Sequence, residues 1–131
     1  MSNFDNKCKS LNKTIDGIVS VSLINLKDGS VISISGSENN NSDLKSNLSS
    51  IAMSIFKNPN IEKIEKSFSQ IENKESKDPF KEIFISSNTN FYFMRLLEKL
   101  EYALFIISKK TVNQGIIWLE IKKSATEIEN S

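Results

Sequence analysis

The chain has 131 residues, with 17 basic and 16 acidic side chains, a net charge of +1, 38% hydrophobic and 25% charged residues, one cysteine and no histidine. These values fit a single globular domain over residues 1–131, and the charge balance removes the electrostatic drive toward nucleic acid or an anionic membrane surface. A lone cysteine forbids an internal disulfide and fits a reducing compartment, and without histidine neither Ser-His catalysis nor histidine-based zinc or proton chemistry is available.

The N-terminal stretch MSNFDNKCKS lacks the apolar core of a signal peptide. No apolar run approaches the ~20 residues of a membrane span, so a cytoplasmic protein without a membrane span is expected. Phe4, Cys8, Leu11 and Ile15 fall on one stripe of a helix over residues 3–16. Cys8 lies on that stripe and reads as a small buried hydrophobe. Asp16-Gly17 ends the helix.

IVSVSLINL (18–26) reads as a strand, with Val19, Val21 and Leu23 on one face and Ile18, Ile24 and Leu26 on the other. Asp28-Gly29 signals a two-residue type I′ hairpin turn. The partner SVISIS (30–35) sets Ile32 and Ile34 against a more polar face of Val31, Ser33 and Ser35, which suggests an edge strand with one wet face. GSENNNS (36–42) is a polar loop. A second helix follows, its stripe formed by Leu44, Leu48, Ile51, Ala52, Ile55 and Phe56, and Asn58-Pro59-Asn60 breaks it.

Residues 60–78 have Ile61, Ile64, Phe68 and Ile71 at helical spacing, separated by charges of both signs, and read as a further helix with a solvated face, with a strand or a mobile excursion as the alternatives. Lys74 to Asp78 is a linker. Three strands follow with very short turns: FKEIFISS (80–87), NFYFMRLL (90–97) and EYALFIISKK (101–110). In the last, Tyr102, Leu104 and Ile106 point one way and Ala103, Phe105 and Ile107 the other, so it must be covered on both sides. Arg95 shares a face with Phe91, Phe93 and Leu97, so either the middle strand lies nearer an edge or Arg95 snorkels. Thr111 and Gln114 have capping-box spacing. The final helix then runs over 111–130, burying Ile117, Ile121, Ser124 or Ala125, and Ile128, with Ile116 and Leu119 alongside. Trp118 reads as core or interface. The burial pattern demands five antiparallel strands covered by helices on both faces.

No motif announces a chemistry. No glycine lies in a GxxxxGK[ST] or GxGxxG pattern, so no nucleotide cofactor is implied. Glu62, Glu65 and Glu72 alternate with lysines at helical distances and read as solvated pairs. Lys109-Lys110 and Lys122-Lys123 read as solvated surface. The chain's evident asset is apolar surface on a small sheet, and an exposed sheet edge often pairs with another copy.

Three stretches together resemble the roadblock/dynein-light-chain domain family, including its bacterial MglB-like branch. LNKTIDGIVSVSLINLKDGSVISISG (11–36) is similar to that family's first helix running through Gly and Val into an Asp-Gly hairpin. DLKSNLSSIAMSIF (43–56) sits where its second helix belongs. EYALFIISKKTVNQGIIWLEIKKSATEI (101–128) resembles its last strand, Asn-x-Gly link and closing helix.

The resemblance implies an α/β, profilin-like roadblock fold in the order α-β-β-α-(insert)-β-β-β-α. Residues 60–79 are a helical insertion where the family has a short link. It also implies a homodimer joined through the third strand and second helix, which here are Phe80–Ser87 and Asp43–Phe56. The interface candidates are then Leu44, Leu48, Ile51, Ile55, Ile83, Phe84 and Ile85. The implied work is non-catalytic, with no cofactor or metal: a regulator or scaffold that binds a small Ras-like GTPase, activating in some bacterial members. The competing readings are a small-molecule sensor holding a ligand between sheet and helix, and a structural subunit of a motility or secretion assembly.

Overall fold

The computed structural model describes residues 3–36, 42–72 and 79–130. The elements are α1 (Asn3–Thr14), β1 (Ile18–Asn25), β2 (Val31–Gly36), α2 (Ser42–Phe56), α3 (Pro59–Ile71), β3 (Glu82–Ser86), β4 (Asn90–Leu97), β5 (Tyr102–Lys109) and α4 (Gln114–Glu129). The expected linker Lys74–Asp78, and positions 37–41 of the expected polar loop, lie outside the described residues.

β5 is the middle of a five-stranded sheet ordered β2-β1-β5-β4-β3, in which every pairing is antiparallel. Its two apolar sets separate as the sequence requires. Leu104 and Ile106 join Val21, Leu23, Phe93 and Leu97 in a core closed by Cys8 and Leu11 of α1 and by Ile117, Ile121, Ala125 and Ile128 of α4. Ala103, Phe105 and Ile107 join Ile24, Leu26 and Met94 in a second core closed by Leu48 and Ala52 of α2. Helices therefore cover both faces.

Bulges change which face several residues occupy. The β1–β2 register shifts between Leu23 and Ile24, so that Leu23 opposes Ser33 while Ile24 opposes Val31 and Ile32 is left over. An extra residue bends the strand and breaks simple alternation. Ile32 accordingly packs on the α1/α4 face and Ile34 on the α2 face, not side by side. A second shift between Ile18 and Ser20 moves Val19 onto the α2 face, away from Val21 and Leu23.

The face of β2 expected to be wet is covered. Ser33 and Ser35 are 4% and 7% exposed, because α1 lies across them: the Ser33 hydroxyl donates to Asp5, and the Asn12 amide donates to Ser35 at 3.4 Å. Gly36 ends β2 at φ +136°, where a Cβ would stand 2.3 Å from the Val19 carbonyl oxygen, so glycine permits this close approach.

Two connections also differ from expectation. The Asp28-Gly29 connection is not a two-residue turn: Gly29 N–H reaches back to the Asn25 carbonyl at 2.7 Å, while the Asn25 and Asp28 side chains accept from Lys27 N–H and Ser30 N–H. These Asx contacts stabilise a longer loop that buries Leu26. The α4 cap is Asn113, not Thr111; its side chain accepts the Ile116 N–H at 3.2 Å, and the helix begins at Gln114. At the β4–β5 turn, Glu101 adopts φ 54°, and its carbonyl accepts the Leu26 N–H at 2.8 Å, joining the two hairpin turns at that end of the sheet.

Candidate interaction surface

β3 is one of the two outer strands, and its burial falls sharply: of Glu82–Ser86 only Ile83 is even partly covered. Its backbone polarity can be read from the ladder. Leu96 N–H donates to the Lys81 carbonyl and Ser87 N–H to the Asn90 carbonyl, so the odd-numbered residues exchange hydrogen bonds with β4. In an antiparallel pair the intervening residues point their N–H and C=O the other way. Glu82, Phe84 and Ser86 thus face outward from the sheet.

The side chains at that edge are apolar. Phe84 is 38% and Ile85 43% exposed. Phe84 is held in place from beneath, with its ring centroid 5.2 Å from both Phe91 and Phe93; Phe93 meets Trp118 edge-on, also at 5.2 Å. Aromatic pairs in such tilted arrangements contribute about 0.5–1.5 kcal/mol beyond area burial. The Lys110 ammonium lies 5.6 Å from the Phe91 ring centre. Glu82 pairs with Arg95 across the strands at 3.0 Å. The edge is a supported apolar surface with charges at one end.

α3 forms because Asn58 caps it, accepting the Asn60 N–H at 2.8 Å, and because Pro59 at its first turn needs no donor. It is helical as the spacing predicts, but it is turned by about a quarter so that the apolar stripe faces sideways rather than inward. Glu65, expected in solvent, is 7% exposed, and its carboxylate accepts the Phe80 N–H just before β3. Ile64, Phe68 and Ile71 are 45%, 57% and 75% exposed. The solvated face of this helix is the apolar one.

The sequence-predicted interface residues divide by position. Phe84 and Ile85 lie on the open edge, and Ile51 on α2 is exposed. Leu44, Ile55 and Ile83 are half-buried and pack against the α2-side core. Leu48 is 2% exposed and belongs to that core, so it is not on the surface. Phe80 begins the strand expected at the interface and is exposed, whereas Ile64, Phe68 and Ile71 fall outside both expected interface elements; their stripe is visible in the sequence, but a helical apolar stripe ordinarily turns inward. Ile116 and Leu119 of α4, expected alongside its buried stripe, are likewise exposed.

Titratable chemistry is sparse. Cys8, buried as expected, has its thiol pushed up to about 11, chiefly by burial, with the Asp5 carboxylate adding to the shift and the Ser33 hydrogen bond opposing it. A neutral buried thiol is a poor nucleophile. Asp28 is held below the usual carboxylate value by hydrogen bonds from Ser30. Among the described residues no group of three His, Cys, Asp or Glu could hold a metal ion, and no helix is long and apolar enough to cross a membrane. The clefts lie outside the two cores; one of about 240 Å³ separates the α3–β3 junction from the hairpin turns, lined by Leu26, Phe56, Glu65, Phe80 and Glu101 among others.

No family model and no curated protein matches the sequence. Solved structures match the fold over nearly its whole length. Myxococcus xanthus MglB is similar with a TM-score of 0.75 at 18% identity, covering 99% of this chain and 94% of that one. A roadblock/LC7 domain from Streptomyces avermitilis is similar with a TM-score of 0.75 at 11% identity, covering 98% and 97%. An MglB with a tetrameric arrangement is similar with a TM-score of 0.72 at 14% identity, covering 95% and 84%. The fold is that of the roadblock/LC7 domains.

Proposed function

We propose that this roadblock-fold chain is a non-catalytic regulator or scaffold that acts as a homodimer and binds a small Ras-like GTPase. The observation that carries the reading is the open β3 edge. Its outward backbone groups at Glu82, Phe84 and Ser86 have the polarity that a second strand would complete. Its exposed Phe84 and Ile85 supply apolar area beside them. An unpaired apolar edge is a template for strand addition. Antiparallel pairing of β3 with its copy about a two-fold axis is self-complementary, as a closed dimer requires. It would turn two five-stranded sheets into one continuous sheet.

The GTPase half of the proposal rests on the shared fold with MglB and on the family that the sequence resembles. The sensor reading has less support, because the described residues pack a core of buried side chains between the sheet and its helices on each face.

Sedimentation equilibrium tests the dimer. The wild-type chain is expected at twice its 14.8 kDa mass at micromolar concentration, and Ser86→Pro at one chain mass. Proline there removes an outward N–H without breaking the β4 ladder. A single-chain mass for the wild type would sink the reading. Affinity capture with GTPases loaded with GDP or a non-hydrolysable GTP analogue tests the second half: nucleotide-dependent retention is expected, and equal or absent retention in both states removes it.

A further inference from the structure

We propose that the exposed side of α3, carrying Ile64, Phe68 and Ile71, packs against a second copy of this chain and forms part of one continuous interface with β3. This rests on the β3-to-β3 dimer proposed above and extends it to a surface that the strand edge does not include.

Three observations point there. The first is the rotation of the helix. At 100° per residue Ile64, Phe68 and Ile71 fall within about 60° of arc, and Glu65 lies about 90° from its centre. Glu65 is the buried residue, bonded to the Phe80 N–H. The body of the protein thus holds α3 by a polar contact and leaves its apolar side facing sideways. Burying a charged residue while exposing isoleucine and phenylalanine is unfavourable for an isolated chain; a partner surface offsets it.

The second observation is distribution. Of the nine exposed large hydrophobics among the described residues, six lie on α2, on α3, at the lead-in to β3 or on the α2-side face of β3: Ile51, Ile64, Phe68, Ile71, Phe80 and Ile85, whereas Phe84 packs on the opposite face. The Glu65–Phe80 contact joins α3 to the start of β3. Concentrated apolar exposure marks an interaction surface.

The third is area and symmetry. A stable interface engages roughly 20–30 residues on each side, and β3 has 5. Strand pairing alone falls short, so helical surface beside the strand must add to it, from α2 with its exposed Ile51 and from α3. Pairing two antiparallel β3 strands in one sheet requires a two-fold axis perpendicular to it, which places equivalent helices on the same face. α3 borders Leu26, Phe56 and Leu96, which belong to the α2-side core. The α3 helices of both copies would therefore stand on one face, beside the seam.

The test is the dimer dissociation constant by sedimentation equilibrium for wild type, Ser86→Pro and the double variant Phe68→Ser/Ile71→Ser, with circular dichroism to check that α3 remains folded. The double change is expected to weaken the dimer by at least about 100-fold, as truncating two interface anchors does. A second measurement leaves the apolar side intact: Ser67→Cys in a Cys8→Ala background, labelled with a maleimide. Labelling is expected to slow at least about tenfold when protein concentration rises above the dissociation constant, as burial removes thiol access. A dimer within threefold of wild-type affinity in the double variant, with labelling independent of concentration, overturns the role of α3 and leaves the β3 pairing standing. A wild-type chain that stays monomeric overturns both.

Discussion

The two outer strands of this sheet solve the same problem in opposite ways. β2 is covered: α1 crosses it, Ser33 and Ser35 are buried under that helix, and their hydroxyls are matched by Asp5 and Asn12. A bulge further disturbs its ladder. β3 has neither device. Its strand is short and straight in register, its outward backbone is open, and aromatic packing from below fixes exposed apolar side chains in place. Natural sheets ordinarily protect their edges with bulges, charges or a covering helix. Cover at one edge and its lack at the other, where among the described residues only the Glu82–Arg95 and Lys81–Glu98 charges stand guard, support the proposal that a partner strand adds at β3.

This contrast can be broken by mutation, and the largest effect is expected beneath the open edge. Phe93 is fully buried and links Phe84 above it to Trp118 of α4. Phe93→Ala is expected to cost about 3–5 kcal/mol in urea unfolding at fixed protein concentration. Phe84→Ala should cost clearly less; an equal cost would mean that the edge is core rather than surface.

The covered edge carries a pH signature. The folded Cys8 thiol titrates near 11 rather than 9.0. A raised folded value means that its contribution is complete below pH 9 and is lost as pH rises toward 11, because the unfolded chain releases the proton first. The loss should approach about 2–3 kcal/mol across that window. Denaturant midpoints of wild type and Cys8→Ala should therefore converge as pH rises from 9 to 11, and parallel curves would refute the assignment.

Ser33→Ala removes one hydrogen bond from Asp5 and one from Cys8 under α1. The expected loss is about 1–3 kcal/mol, read as a lower denaturant midpoint. The smallest effect belongs to the open edge: Ser86→Pro should change the stability of the monomeric form by no more than about 0.5 kcal/mol. A large loss would mean that its N–H is already engaged.

Much of the architecture was readable in the chain. The double-faced apolar pattern of 101–110 required cover on two sides, and β5 is the central strand with a core on each face. The span 90–97 coincides with β4. What could not be read depends on register or tertiary orientation. A single bulged residue put Ile32 and Ile34 on opposite faces, and alternation rules have no signal for a bulge without glycine or proline. The covering of Ser33 and Ser35 depends on where α1 lands, which no local pattern encodes. Asn113 outcompeted Thr111 as the cap because both have suitable side chains and the chain leaving β5 decides which is in place. For the interaction surface, Phe84, Ile85 and Ile51 lie exposed, whereas Leu48 is consumed by the core, and the exposure of the α3 residues has no local signal because an apolar helical stripe ordinarily faces inward.

The left-handed backbone at Glu101 has a consequence for how such a sheet can grow. Because its carbonyl engages Leu26, the tips of two separate hairpins are knotted together by main-chain atoms. The contact uses main-chain atoms, so it does not depend on the Lys57–Glu101 ion pair at the same turn. The Leu26 N–H is thereby spent within the chain, and that end of the sheet does not offer it to a partner.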